Sequence, residues 1–154
     1  MKWLWLTALI IVLDQSSKWL MSAWLELYQS VIVLPFFNLT LAHNSGAAFS
    51  FLANAGGWQR WFFIVLALSV SLVLLIWLSR LKASERMEAA ALSLIMGGAL
   101  GNVTDRIIHG YVVDFLDFHL AGYHWPAFNV ADMAIFIGAA LLIIDSFRKP
   151  SEHA

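Results

Sequence analysis

The chain has 154 residues, of which 61% are hydrophobic and 12% charged, and its formal net charge is −1. A soluble domain of this length could not bury so much apolar surface, so the composition predicts an integral membrane protein. The near-neutral charge argues against nucleic acid as a partner, and the absence of cysteine excludes thiolate catalysis, disulfides and thiolate metal sites.

Four segments are apolar and long enough to cross a hydrocarbon core of about 30 Å, which takes roughly 20 helical residues. In chain order they cover about 3–25, 60–79, 88–108 and 128–147. The second segment is the only one free of ionisable groups along eighteen residues, 61–78. The other three carry polar residues, which at membrane depth usually face a bundle interior. The pattern predicts a single domain over 1–154, an all-α membrane protein built as a four-transmembrane-helix bundle.

Basic residues indicate the orientation of these segments. They cluster at 80–86, between the second and third segments, and at 148–149, after the fourth. The positive-inside rule places both clusters in the cytoplasm. Both termini are then expected inside, with outer loops at about 26–59 and 109–127.

The first outer loop begins with VIVLPFFNLTLAHNSGAAFSF, from Val31 to Phe51. Its β-branched and aromatic runs are interrupted by Pro35 and by the turn-like HNSG. This pattern favours short strands, forming a small β-rich sheet on the membrane surface, over a further span.

Polar residues from three predicted helices fall at one depth. Lys18 and Asn102 lie sixteen residues beyond the cytoplasmic residues Lys2 and Arg86, and Asp132 lies sixteen residues before the basic end of the fourth segment. At about 1.5 Å per residue, each is about 24 Å from the inner boundary. The coincidence predicts a polar cluster just beneath the outer interface.

Two neighbouring groups extend this cluster and have structural explanations of their own. Asp14 and Lys18 are spaced i, i+4 and could form a simple ion pair. Asn102, Asp105 and Arg106 share a helix face, which predicts an internal salt bridge near the helix end.

Asn129 and Asp132 begin the fourth segment. Asn129 is placed to cap the helix, and the helix dipole favours Asp132 in the first turn. These helix-end effects explain the carboxylate of Asp132. They do not explain why a second carboxylate, Asp114, is predicted on the same side of the membrane.

Other chemistries have weaker signals. The histidines His109, His119 and His124 are scattered over a loop without an HExxH-like spacing, which disfavours a metal site. Ser45 lacks a G-x-S-x-G context, although spacing alone leaves a Ser–Lys pairing with Lys18 open.

A pair of carboxylates would supply both a general acid and a general base. Two carboxylates that share a site cannot easily both ionise, so one retains a proton while the other is charged. The pair can then activate water and protonate a leaving group, as direct amide hydrolysis requires. Asp114 and Asp132 are the preferred pair. Asp105 is the rival second acid, disfavoured because the adjacent Arg106 would keep it ionised.

Four motifs resemble the successive boxes of bacterial lipoprotein signal peptidase, the type II enzyme, in order and over nearly the whole chain. They are LDQSSK (13–18), HNSGAAFS (43–50), GGALGNVTDRIIHGYVVDF (97–115) and FNVAD (128–132).

This resemblance implies a four-span aspartic endopeptidase of the bacterial cytoplasmic (inner) membrane. It implies cleavage of prolipoproteins on the amino side of a diacylglyceryl-modified cysteine, inhibition by globomycin, and no metal or organic cofactor. Membrane lipid is the other expected partner, and a monomer is the expected state. By the same resemblance, the first outer loop is expected to form a cradle and flap over the substrate, and Asp114 and Asp132 are expected to be the catalytic pair. The expected supporting residues are Asp14, Lys18, Asn44, Asn102, Asp105, Arg106, Asn129 and Ala131.

Two other classes remain as alternatives. A small ion-coupled carrier also uses membrane carboxylates, but it predicts inverted repeats or helices broken at the midplane, which the sequence lacks. A non-enzymatic assembly factor would tolerate loss of either acid.

Overall fold

A computed structural model of the chain describes residues 2–46 and 57–148. The helices are α1 (Leu4–Trp24), α2 (Trp58–Arg80), α3 (Arg86–Ile108) and α4 (Val130–Arg148). The strands are β1 (Ser30–Leu34), β2 (Phe37–Asn44), β3 (Val112–Leu120) and β4 (Tyr123–His124). All four predicted helices are confirmed, with ends within two residues of those expected. Of the loop expected to form the cradle and flap, residues 47–56 lie outside the described residues.

The helices differ in how well they suit a membrane by composition alone. Of those described, α2 and α4 are long and apolar enough to cross a bilayer, whereas α1 and α3 do not meet that criterion. The reason lies in their polar content, because α1 carries Asp14 and Lys18 and α3 carries charged residues at both ends. These polar groups are largely buried between helices.

Helix α3 is central and packs against α1, α2 and α4. Small residues permit this close approach. A Cβ added at Gly97 would lie 2.8 Å from the Cβ of Ile10 on α1, and one at Gly98 would overlap the carbonyl oxygen of Ala131 on α4. The glycines therefore bring the polar faces of three helices into contact.

A four-stranded antiparallel sheet, in the order β1-β2-β3-β4, covers one end of the bundle. Strand β2 comes from the first predicted outer loop and β3 from the second, and their register places Ala42 opposite Asp114. The sequence predicted strands in the first loop only, and strands β3 and β4 of the second loop were not predicted.

The sheet is anchored to the bundle by an apolar cluster. Met21 and Leu25 at the end of α1 pack with Leu41 of β2 and with Val113 and Phe115 of β3. This cluster fixes β3, and therefore Asp114, relative to the helices.

Candidate active site

Asp114 is presented to a cleft by strand alternation. Val112, Asp114, Leu116 and Phe118 project from one face of β3 and line the cleft. The carboxylate is only 3% exposed. Its Oδ2 accepts an N–H from the Asn44 side chain at 3.1 Å, so β2 positions it from the side.

Asp132 enters the same cleft from the first turn of α4. Its Oδ1 accepts an N–H from the Asn102 amide of α3 at 2.8 Å. Its backbone N–H donates to Asn129 Oδ1 at 2.9 Å, which confirms the predicted N-cap.

One buried amide connects the two acids. While Asn129 Oδ1 caps the helix that carries Asp132, its Nδ2 donates to Asp114 Oδ1 at 2.6 Å. Asn129 is fully buried. Rotation of this side chain would break both contacts, so the positions of the two carboxylates are coupled.

Lys18 lies behind this pair and confirms the predicted polar layer. Its Nζ donates to Asp14 Oδ2 at 2.8 Å and to Asn102 Oδ1 at 2.9 Å, and it lies 2.9 Å from Asp105 Oδ2. Since three acceptors surround the three ammonium protons, Lys18 is not available as a base for Ser45. The predicted Asp14–Lys18 ion pair is confirmed, as one part of a larger network.

Asp14 links this network to α4, the helix that carries Asp132. Its Oδ1 accepts the backbone N–H of Ala131 at 2.9 Å, and Ala131 is fully buried. Ala131 therefore contributes to the site through its backbone and its small size.

The prediction that Asp105 forms a salt bridge with Arg106 is wrong. Asp105 pairs with Lys18 and accepts N–H groups from Gln15 at 2.8 Å and from the Val113 backbone at 3.0 Å. Arg106, in the described part of the chain, instead donates to the Gly46 carbonyl at 2.9 Å. Adjacent helical residues point in directions about 100° apart, which explains why Asp105 and Arg106 diverge.

Asp105 also lies away from the cleft that holds the other two acids. It lines a separate cavity together with Gln15, Lys18 and Val113. This geometry favours Asp114 as the partner of Asp132. Gln15 was missed by the sequence analysis, although it directly follows Asp14 and its amide bridges Asp14 and Asp105.

The cleft has a volume of about 830 Å³ and changes character along its length. Its polar end holds the two acids. Its outer wall is formed by residues 125–128, and it continues along apolar α4 residues that are exposed at the bundle surface. These exposed residues are Met133, Phe136 and Ile137.

Burial and the neighbouring charge of Asp132 raise the pKa of Asp114 from 3.8 to about 7. Amide donors from Asn44 and Asn129 oppose this change. Asp114 can therefore retain a proton near neutral pH, as a shared-proton pair requires.

The raised pKa predicts a pH-dependent stability. Between about pH 4 and pH 7 the folded state binds more protons at Asp114 than the unfolded state, so the free energy of unfolding falls as pH rises, by up to about 1.4 kcal/mol per pH unit. Thermal unfolding in detergent should show a larger decrease in Tm across this window for the wild type than for Asp114→Asn. Parallel pH profiles would contradict the assignment.

The histidines within the described residues occupy two other places. His43 and His109 stack on Tyr111, whereas His119 stacks on His124. Over residues 2–46 and 57–148, the structure contains no group of three or more His, Cys, Asp or Glu side chains arranged to hold a metal ion.

The fold and this site define a membrane enzyme. Two solved bacterial membrane enzyme structures, obtained by the in meso method at 2.3 Å and 1.9 Å resolution, are similar over 99% of this chain. Their TM-scores are 0.88 and 0.82, their identities are 30% and 29%, and 92% and 94% of their own chains are covered.

The particular family follows from sequence comparison. The family model for signal peptidase (SPase) II matches residues 6–148, and the chain belongs to this family. The lipoprotein signal peptidase of Alteromonas mediterranea is 61% identical over 97% of this chain and 82% of its own length. Those of Photorhabdus laumondii and Yersinia enterocolitica are each 52% identical over 99% of this chain, and 91% and 90% of their lengths are covered. The carrier alternative finds no support.

Proposed function

We propose that this protein is a lipoprotein signal peptidase that removes signal peptides from prolipoproteins, acting as an aspartic endopeptidase with Asp114 and Asp132 as its catalytic pair. One observation carries the catalytic assignment: Asn129 contacts both acids, and both line one cleft. Family membership supports the peptidase activity.

In the proposed reaction, Asp132 is the initial carboxylate and Asp114 the initial acid. Asp132 takes a proton from a water molecule as the water oxygen attacks the scissile carbonyl carbon, while Asp114 protonates the carbonyl oxygen. The resulting gem-diol collapses when Asp132 delivers its proton to the leaving nitrogen and the C–N bond breaks. Asp114 recovers its proton from a diol hydroxyl, so the pair returns to its starting state.

Amides rather than cations contact the two carboxylates. Asn102 donates to Asp132, and Asn44 and Asn129 donate to Asp114. A neutral donor orients a carboxylate without forcing it to remain ionised as a guanidinium would, so each acid can exchange its proton. Lys18, Asp14 and Asp105 act behind these amides as structural support, and Arg106 lines the cleft and holds the Gly46 carbonyl.

The apolar part of the cleft suits a lipid-modified substrate. With α4 facing lipid, the acyl chains of a diacylglyceryl-cysteine would lie against its exposed residues Met133, Phe136 and Ile137. Because the acyl chains of a membrane-anchored substrate already lie in lipid, these contacts would act through packing rather than through transfer from water. They would fix the modified cysteine beside the two acids, so lipidation would contribute to substrate recognition.

The proposed topology has four spans in a single domain over 1–154, both termini in the cytoplasm and the sheet at the outer face of the inner membrane. Burial of the polar faces of α1 and α3 within the bundle supports it. The chain has no native cysteine, so a cysteine at Ala121 should react with an impermeant thiol reagent from outside. One at Ser84 should react only from the cytoplasm. Cytoplasmic labelling at Ala121 would overturn the orientation.

The activity test uses purified full-length protein in lipid. A diacylglyceryl-modified prolipoprotein should be converted to its mature form, and the unmodified precursor should be cleaved far more slowly. Conversion should be inhibited by globomycin, survive a chelator and not require a second copy of the chain. Equal cleavage of both precursors would refute lipid recognition, and no cleavage of either would refute the peptidase assignment.

A further inference from the structure

A second polar network lies on the face of the sheet opposite the catalytic cleft. Its centre is Asp117, which strand alternation places on that opposite face because Leu116 and Phe118 line the cleft. Asp117 is 6% exposed. Its Oδ1 lies 2.8 Å from His124 Nδ1, and its Oδ2 accepts the Thr40 hydroxyl at 2.9 Å.

The network joins all four strands. Asn38 of β2 also donates to Asp117, at 3.4 Å, and Ser30 of β1 shares a hydrogen bond with Thr40 at 2.8 Å. Although burial alone would raise the pKa of Asp117, hydrogen bonds from His124, Thr40 and Asn38 hold that pKa below its usual value. The carboxylate is therefore ionised and makes charge-assisted hydrogen bonds.

His124 directly precedes the cleft wall, which we define as residues 125–128. The Trp125 N–H donates to the Phe118 carbonyl at 2.8 Å, and the Phe128 N–H donates to the Leu116 carbonyl at 3.1 Å. The residue after the wall is Asn129, the amide that connects the two catalytic acids. Because Asn129 is also held by Asn102 and by the Val113 carbonyl, a displacement of the wall would change the shape of the cleft more than the positions of the two acids.

The hairpin that leads into the wall is short. Strand β4 has two residues, and it follows a tight turn in which Ala121 and Gly122 have φ angles of 50° and 83°. Such a short pairing is marginal by itself. The bond between His124 and Asp117 ties this point to the buried side of the sheet.

We propose that Asp117 and His124 are positioning residues that hold the cleft wall in place and so set the enzyme's affinity for its lipidated substrate. This inference rests on the proposed function. Neither residue touches the reacting atoms, because their side chains lie on the far face of the sheet. Their effect should appear in KM rather than in kcat.

The test compares variants of the full-length enzyme in lipid. His124→Phe keeps a ring beside His119 but loses the donor, whereas His124→Asn keeps a donor near the position of Nδ1. Because His124 is about half exposed, His124→Phe should raise KM roughly threefold to tenfold with little change in kcat. His124→Asn should stay close to wild type, and Asp117→Asn should raise KM in the same direction.

Ser30→Ala is the matched control, because it removes a hydrogen bond of the same network two strands away from the wall. It should leave KM unchanged. An unchanged KM in both His124→Phe and Asp117→Asn, or an equal rise in Ser30→Ala, would overturn the inference.

A second readout does not need activity. In protein labelled with 5-fluorotryptophan, the ¹⁹F resonance of Trp125, assigned by its loss in Trp125→Phe, should shift or broaden in His124→Phe and not in Ser30→Ala. If the wild type cleaves no prolipoprotein, the proposed function fails while this measurement still reports on the wall. An unperturbed Trp125 signal in His124→Phe would reject the positioning role itself.

Discussion

Replacing either Asp114 or Asp132 with asparagine is expected to reduce prolipoprotein cleavage by about a thousandfold or more while leaving the protein folded. Asparagine is nearly isosteric with aspartate but cannot accept and return a proton. The double variant should be little worse than either single variant, because residues that act as one unit are strongly non-additive.

The measurement is the initial rate of conversion per folded enzyme, with folded protein quantified by size-exclusion chromatography in detergent. Asp105→Asn is the matched control, since it removes a buried carboxylate of the same network that lies outside the cleft. It should lower folded yield and keep measurable turnover in the fraction that folds. A well-folded but inactive Asp105→Asn beside an active Asp114→Asn would show that the acids were assigned wrongly.

The parts of this site that lie on helices could be predicted from the sequence. Helical rise is regular, so counting from the basic ends places Lys18, Asn102 and Asp132 at one depth, and their side chains contact one another. The cap at Asn129 is also local, because it depends on residues three positions apart.

The parts that depend on distant strand pairing could not be predicted in this way. Asn44 reaches Asp114 only because β2 pairs with β3 from the second predicted outer loop, and periodicity within either segment does not reveal that register. The partner of Asp105 was misassigned for a related reason. Proximity in the chain suggested Arg106, whereas helix packing brings Lys18 from α1. Family resemblance named Asn44, but it did not show what Asn44 contacts.

Lys18→Met is expected to be the most destabilising single substitution in the polar layer. One ammonium, 4% exposed, lies between the carboxylates of Asp14 and Asp105, both of which are almost completely buried. Removing one partner of a buried charge pair typically costs 3–5 kcal/mol, because the remaining charge is left uncompensated. Here two carboxylates lose their only ion-pair partner in the described part of the chain, so folded yield should fall sharply.

The same substitution should also affect chemistry in the molecules that fold. Lys18 and Asn129 both donate to Asn102 Oδ1, which leaves the Asn102 NH₂ group facing Asp132. Without the ammonium, the Asn102 amide loses the stronger of the two donors that fix this orientation. The rate per folded molecule should therefore fall as well.

A triple variant in which all three side chains are uncharged separates the effect on folding from the effect on the rate. Combining Lys18→Met with Asp14→Asn and Asp105→Asn removes the uncompensated charges and should recover much of the folded yield, because replacing a whole buried ion network costs far less than breaking it. Activity should remain low, since the donor to Asn102 is still absent. Lys82→Met, in the exposed connection between α2 and α3, serves as the lysine control and should match the wild type in yield and rate. Full activity in a well-folded Lys18→Met protein would show that the ammonium neither stabilises the buried carboxylates nor orients the amide that binds Asp132.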